Sequence, residues 1–341
     1  MVKVLFIFSG EDRRRLEPLV EKGEWPDNWF FGYNRVAKHT GIKAEFVQVT
    51  KENFNGNFRL FIDIYKQLKA ADVIFITSSL HFSLLRVKKF GFLRDKKWII
   101  LNLDLTSKLK KGQLKLSDIK EVDKIISPSR TQIKYLNDLG LRDEQLEFVP
   151  FGVDKKFYHS LPPTDEGIVF AVGRDPGRDY STLIEAVRDS QNETVIMCRE
   201  RNLENFQTKI PANVKIEEER TPLETRDFYA EALISDIPSH NDQHVGGSDC
   251  SGQTVILESM GYGRPVIASR KEWFKDYFVE DKHLVIVPPE DPQALRKAIE
   301  RVKIDKNLRE SLVREGRNLI ETQYNSDQMG KRFAEIILKL V

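Results

Sequence analysis

Two cysteines occur in 341 residues, Cys198 and Cys250. They are too few for a disulfide framework and lack the paired spacing of a structural metal site, which fits a reducing compartment. No run approaches the roughly 20 apolar residues of a membrane-spanning helix. The opening, MVKVLFIFSGEDRRR, has a short apolar core followed by acids and arginines where a secretory signal would place a small-residue cleavage site. It predicts a first β-strand, and the expected location is cytoplasmic. Neither G-x-G-x-x-G nor G-x-x-x-x-G-K-[ST] is present, which weakens dehydrogenase and nucleoside-triphosphatase readings. There is no Asp-x-Asp pair, no short-period repeat and no low-complexity tract.

What is present is an ordinary globular composition, 40% hydrophobic and 31% charged, with a net charge of +2. That total hides an asymmetry. Residues 1–155 carry 28 Lys+Arg against 20 Asp+Glu, and residues 156–341 carry 26 against 32. Such a split points to an anionic partner for the first half. The stretch 84–115 concentrates it, with ten Lys+Arg, two acids, and Phe90, Phe92, Leu93 and Trp98 interleaved. An anionic membrane surface, a solvated face over core aromatics, and nucleic acid all suit that pattern; nucleic acid is not expected.

Short apolar runs recur at 2–8, 44–49, 72–76, 98–103, 123–127 and 146–149, with helical stretches between several of them. This is the pattern of parallel, doubly wound sheets. A glycine- and proline-bearing segment, VPFGVDKKFYHSLPPTDEG (149–167), interrupts it, and the pattern restarts at 168–172, 194–198, 214–217, 233–237, 265–268 and 284–287. Asp291 and Pro292 read as an N-cap and first helical residue, 305–323 as an amphipathic helix and 326–340 as a last one. The expectation is an α/β protein of two Rossmann-like domains, 1–155 and 156–325, facing a cleft. Ligands in such sheets bind beyond the carboxyl ends of the strands.

Two stretches carry candidate chemistry. DCSGQTVILESMGYGRPVIAS (249–269) runs from small and hydroxyl residues into an apolar helix. A glycine-serine-threonine loop at a helix start offers free N–H groups to a phosphate, and Glu258, one turn further, suits hydroxyl groups better than phosphate. A phosphate and a diol together suggest a nucleotide; a capped helix with a solvated Glu258 is the plain alternative. VGRDPGRDYSTLIEA (172–186) sets Arg174 and Arg178 in a turn after a strand. Guanidinium forks there clamp a diphosphate, unless they pair locally with Asp175 or Asp179. In the first half, Gly10 and His81 each follow a strand, where a ligand would meet the sheet; a tight turn and a structural histidine are the alternatives. Glu11 and Asp12 read as solvated.

Taken with VPFGVDKKFY (149–158), these stretches resemble the GT-B-fold retaining glycosyltransferases of family 4, clearly over most of 120–341 and in outline before it. The resemblance implies a hexosyltransferase using a nucleotide-sugar, most often a UDP- or GDP-sugar, with an acceptor that is a glycan, a lipid-linked molecule or a small molecule. It implies diphosphate binding by Gly173, Arg174 and Arg178, with arginine replacing the family's lysine. The phosphate loop maps onto Ser251, Gly252, Gln253 and Thr254, and the ribose-binding glutamate onto Glu258. The family's earlier glutamate falls on Cys250; Asp242, just before an apparent insertion QHVGGSDC (243–250), or Asp249 within it, beside Cys250, would take its place, Asp249 being favoured. Where these enzymes often have a histidine before an aspartate, this chain has Leu103 and Asp104. With no Asp-x-Asp pair, no metal or other cofactor is expected. The final helix, 326–341, is expected to pack on the first domain. A GT-B-fold nucleotide-sugar epimerase and a non-catalytic nucleotide-sugar-binding protein remain alternatives.

Overall fold

The computed structural model describes residues 1–49, 62, 64–77, 84–85, 88, 91–204, 206, 208–244 and 246–341. The chain divides into two compact units. One comprises Met1–Gly23, Asp27–Phe151 and Ser326–Val341; the other comprises Glu24–Pro26 and Gly152–Asn325. Each is built on one parallel six-stranded sheet among the described residues.

In the first unit, β1 (Val2–Phe8), β2 (Ile42–Gln48), β3 (Val73–Ile76), β4 (Lys97–Leu101), β5 (Lys124–Ser127) and β6 (Leu146–Phe148) lie in the order β2-β1-β3-β4-β5-β6. Residues Val4 to Phe8 and Val73 to Ile76 are buried throughout. A strand covered on both faces needs an unbroken apolar run rather than alternation. The second unit repeats the design with β7 (Ile168–Val172), β8 (Thr194–Met197), β9 (Val214–Glu217), β10 (Ala232–Ile237), β11 (Val266–Ser269) and β12 (Val285–Val287), ordered β12-β11-β10-β7-β8-β9. The strand order reverses beside β7 and β10, so loops after these two strands diverge around one crevice of this sheet. The carboxyl end of β10 is therefore where its site belongs.

Helix ends follow their sequence signals. Asp291 caps Pro292–Ile304, its Oδ1 accepting from the Ala294 N–H at 2.9 Å. Asp12, expected to be solvated, instead caps Arg13–Glu21 by accepting from the Arg14 N–H and also pairs with the Arg14 guanidinium. No described helix is long and apolar enough to cross a membrane.

The last helix, Ser326–Leu340, is part of the first unit. Phe333 lies 5.4 Å from Phe75 between ring centres, and Arg35 binds both Asp27 and Asp327. Close approach depends on Gly330, where an added Cβ would sit 2.2 Å from Arg35 Cβ. Gly330→Val is therefore an overpacking change, costing about 1–3 kcal/mol. Thermal unfolding should show a lowered Tm; an unchanged Tm would mean that the helix is not seated in this way.

Part of the basic stretch is engaged by the fold, while Arg94, Lys110, Lys111 and Lys115 stay exposed. Lys88 Nζ donates to the Glu121 carbonyl and, at 2.9 Å, to Asp123, which also accepts from Lys97 and from the Trp98 N–H. Lys96 donates to the Lys69 carbonyl, and Trp98 is fully buried. Burial raises the Asp123 pKa, but these donors, Lys88 foremost, outweigh it and hold the carboxyl below its ordinary value. Lys88 is thus a structural cation rather than part of a free basic face. The sequence could not show this, because its partners lie 33 and 35 residues away.

Candidate functional site

β7 ends at Val172, and Gly173 follows with φ +151°, a value that side-chain-bearing residues rarely adopt. Its carbonyl accepts from the Tyr180 hydroxyl at 2.7 Å, fixing the turn to the helix Tyr180–Val187. A Cβ at Gly173 would lie 2.7 Å from Arg178 Nε. The absent side chain lets Arg178 fold back over the strand end, where its backbone bridges to Ser239 after β10. Arg178 is 3% exposed, and its Nε and Nη1 have no hydrogen-bond partner among the described residues. Buried polar groups in native proteins are almost always satisfied, so two unanswered guanidinium nitrogens mark a place built for something else. The local pairing weighed for this arginine does not occur. Asp179 caps its own helix through the Thr182 N–H and hydroxyl, and Asp175 binds elsewhere.

The helix Gln253–Gly261 begins against that guanidinium. Its N-cap, Gly252, has φ +88° and offers no side-chain cap. A Cβ there would be 2.7 Å from Ile237 Cγ2 and 3.2 Å from Arg178 Nη1. Glycine at this position lets the positive end of the helix approach the buried cation, and an anion is the species both favour. The Ser251 hydroxyl is buried nearby without a partner. Of the four amides expected to form a phosphate loop, those of Ser251 and Gln253 donate to the Ser248 and Cys250 carbonyls at 3.1 Å. The loop needs these bonds to close its own turns. Asp175 staples the loop to the arginine turn, accepting from the Gly177 N–H at 2.7 Å and from the Ser248 N–H and hydroxyl at 3.1 and 2.8 Å.

Glu258 lies farther along the same helix, half-buried, and accepts from the Tyr158 hydroxyl at 2.8 Å. Burial pushes its carboxyl up to about 7, against the Tyr158 bond and the Arg178 charge, which favour ionisation. Asp236, inside β10 and 1% exposed, is pushed up to about 8 by burial, partly offset by Arg178. Arg178, Glu258, Asp236, Gly173, Ser251 and Gly252 thus form one cluster at the strand-order reversal of this sheet.

Other expected residues are placed differently. Arg174 is 43% exposed and pairs at 2.7 Å with Glu219, which also holds Arg199. Asp242 accepts from the buried Lys271 at 3.2 Å and from the Glu272 N–H at 3.0 Å. Asp249 is half-buried in the turn before the helix, and Thr254 is half-buried in its first turn. In the first unit, Gly10 has φ +82°, as a tight turn requires, and the neighbouring Arg13 guanidinium donates to the Ser9 and Glu11 carbonyls. Asp104 precedes the helix Leu105–Lys110 and lies 3.9 Å from Lys108 Nζ. His81 lies outside the described residues. Sequence reading missed Tyr158 and Asp236 and had Asp175 only as a local partner for the arginines, not as the link to Ser248; of the two missed, only Asp236, an acid within an apolar strand, carried a signal.

Residues 153–319 match the family model of glycosyl transferases group 1. A lipopolysaccharide core biosynthesis glycosyltransferase, LpsE of Rhizobium meliloti (strain 1021), is 25% identical over 180 residues, 51% of each chain. The chain thus matches about half the length of that relative. A sucrose-phosphate synthase from Thermosynechococcus elongatus superposes with a TM-score of 0.72 at 16% identity, over 100% of this chain and 99% of that one. Anabaena HepE, in complex with UDP and glucose, superposes with a TM-score of 0.69 at 13% identity, over 99% and 100%. The fold is that of GT-B glycosyltransferases.

Proposed function

We propose that the protein is a retaining glycosyltransferase that takes its sugar from a UDP-sugar, held by the unit of residues 152–325 without a resident metal. The observation that carries this reading is the buried Arg178 guanidinium, with two unanswered nitrogens beside an uncapped helix start. A diphosphate would accept from both, and the charge that grows on it as the leaving group would be stabilised where water is excluded. Arg174 joins it by leaving Glu219; an exposed ion pair holds it by only about 0–1 kcal/mol. Glu258 accepts the ribose hydroxyls, and Asp249, in the turn just before the helix that carries Glu258, faces the transferred sugar.

In the proposed reaction an acceptor hydroxyl oxygen bonds to the anomeric carbon as that carbon's bond to the β-phosphate oxygen breaks on the same face. The hydroxyl proton passes to the departing phosphate oxygen. The acceptor is a glycan, a reading supported by the similarity to the lipopolysaccharide core enzyme. The test is to incubate the full chain with UDP-hexoses and glycan acceptors in EDTA, following UDP release and the anomeric configuration by NMR. Transfer with retention that survives EDTA is expected. An epimerised donor without transfer, an inverted product, or loss of activity restored by a divalent cation would each overturn the corresponding part.

A further inference from the structure

We propose that Tyr158 is a positioning residue for nucleotide binding, its hydroxyl holding one oxygen of the Glu258 carboxylate so that the other is presented to the ribose diol. The inference rests on the reading of Glu258 as the ribose acceptor. Tyr158 comes from the irregular segment before β7, 100 residues from Glu258 in sequence. Everything around it is fixed. Its N–H donates to the Asp154 carbonyl at 2.8 Å, its carbonyl accepts from Arg317 Nη1, and its ring meets Phe157 and Tyr262 edge-on. Gly261 makes the approach possible, since a Cβ there would lie 2.7 Å from Tyr158 Cβ. Residues 258 and 261 are three apart on one helix, hence on one face. A backbone docked at Gly261 therefore delivers the hydroxyl to Glu258 one turn back.

The Tyr158 bond is the one hydrogen bond the Glu258 side chain makes among the described residues. The charged and titratable groups around the carboxylate are Tyr158, Arg178 from the turn after β7, Tyr229 from the helix Pro222–Glu231, and Tyr262. Tyr229 accepts from Ser259, and the Tyr262 hydroxyl has no partner among the described residues, which leaves Tyr158 to orient Glu258. Accepting from Tyr158 on one oxygen and from two ribose hydroxyls on the other needs the ionised carboxylate, which has acceptor sites on both oxygens and no proton in the way. Burial holds this carboxyl near 7, so the accepting form is gained as pH rises through that value. A donor removed from the charged form raises the pKa and moves the gain in affinity to higher pH.

The test uses the full chain with UDP and, as control, 2′,3′-dideoxy-UDP, titrated calorimetrically from pH 6 to 9. The control shares the phosphates of UDP, so their ionisation cancels. Tyr158→Phe should weaken UDP about fivefold near pH 7, shift the rise in affinity to higher pH and leave the control unchanged. The double variant with Glu258→Gln should bind UDP as Glu258→Gln alone does. Wild-type affinity and pH profile in Tyr158→Phe, with Glu258→Gln impaired, overturn the role of Tyr158. Wild-type UDP affinity in Glu258→Gln overturns the ribose reading itself, and the inference with it.

Discussion

Arg178→Ala is expected to weaken UDP binding and to lower kcat/KM for a UDP-sugar by about a hundredfold or more, while Arg174→Ala costs about tenfold. Each charge-assisted hydrogen bond is worth about 1.5–3 kcal/mol, and Arg178 has two nitrogens available to make one. Arg174 brings a single exposed cation that must first leave Glu219. The same geometry predicts what happens to the fold. A residue whose buried charge is unanswered at two nitrogens contributes little to stability, so the apo variant should melt close to the wild type. Calorimetric titration with UDP, thermal unfolding and steady-state kinetics separate the possibilities. If Arg178→Ala unfolds while keeping UDP affinity per folded molecule, the guanidinium is structural. If Arg174→Ala suffers the larger loss, the principal phosphate contact lies on the outer side of the turn.

Glu258→Gln gives the second large effect, a loss of UDP affinity of about ten- to a hundredfold. Glutamine preserves shape but offers one carbonyl oxygen where an ionised carboxylate offers two. The fold should tolerate the change, because burial already brings the Glu258 carboxyl to about 7 and a neutral group suits that site. 2′,3′-Dideoxy-UDP should bind the wild type poorly and be indifferent to the substitution. Equal losses for both nucleotides would assign Glu258 to packing instead.

The fold was legible because its signals are local. A parallel strand buried on both faces must be apolar throughout, and all twelve runs read in the sequence correspond to strands, with ends moved by two residues at most. Caps are equally local, as Asp291 shows. The site was legible as a pair of motifs but not as geometry. Nothing in GRDPGR says which arginine turns inward; that depends on the φ of Gly173 and on Tyr180 holding its carbonyl. Likewise Lys88 reads as exposed charge until the chain brings Asp123 to it. Tyr158 and Glu258 are joined only by tertiary structure, so no spacing rule could pair them.

The nucleotide reading rests on the cluster around Arg178 acting as a nucleoside-diphosphate site without metal. Calorimetric titration of UDP into the wild-type chain in EDTA tests it most directly, with Arg178→Ala titrated alongside. Saturable one-site binding to the wild type is expected, its affinity weakened about a hundredfold or more in the variant. No binding to the wild type, or equal binding to both proteins, would contradict it.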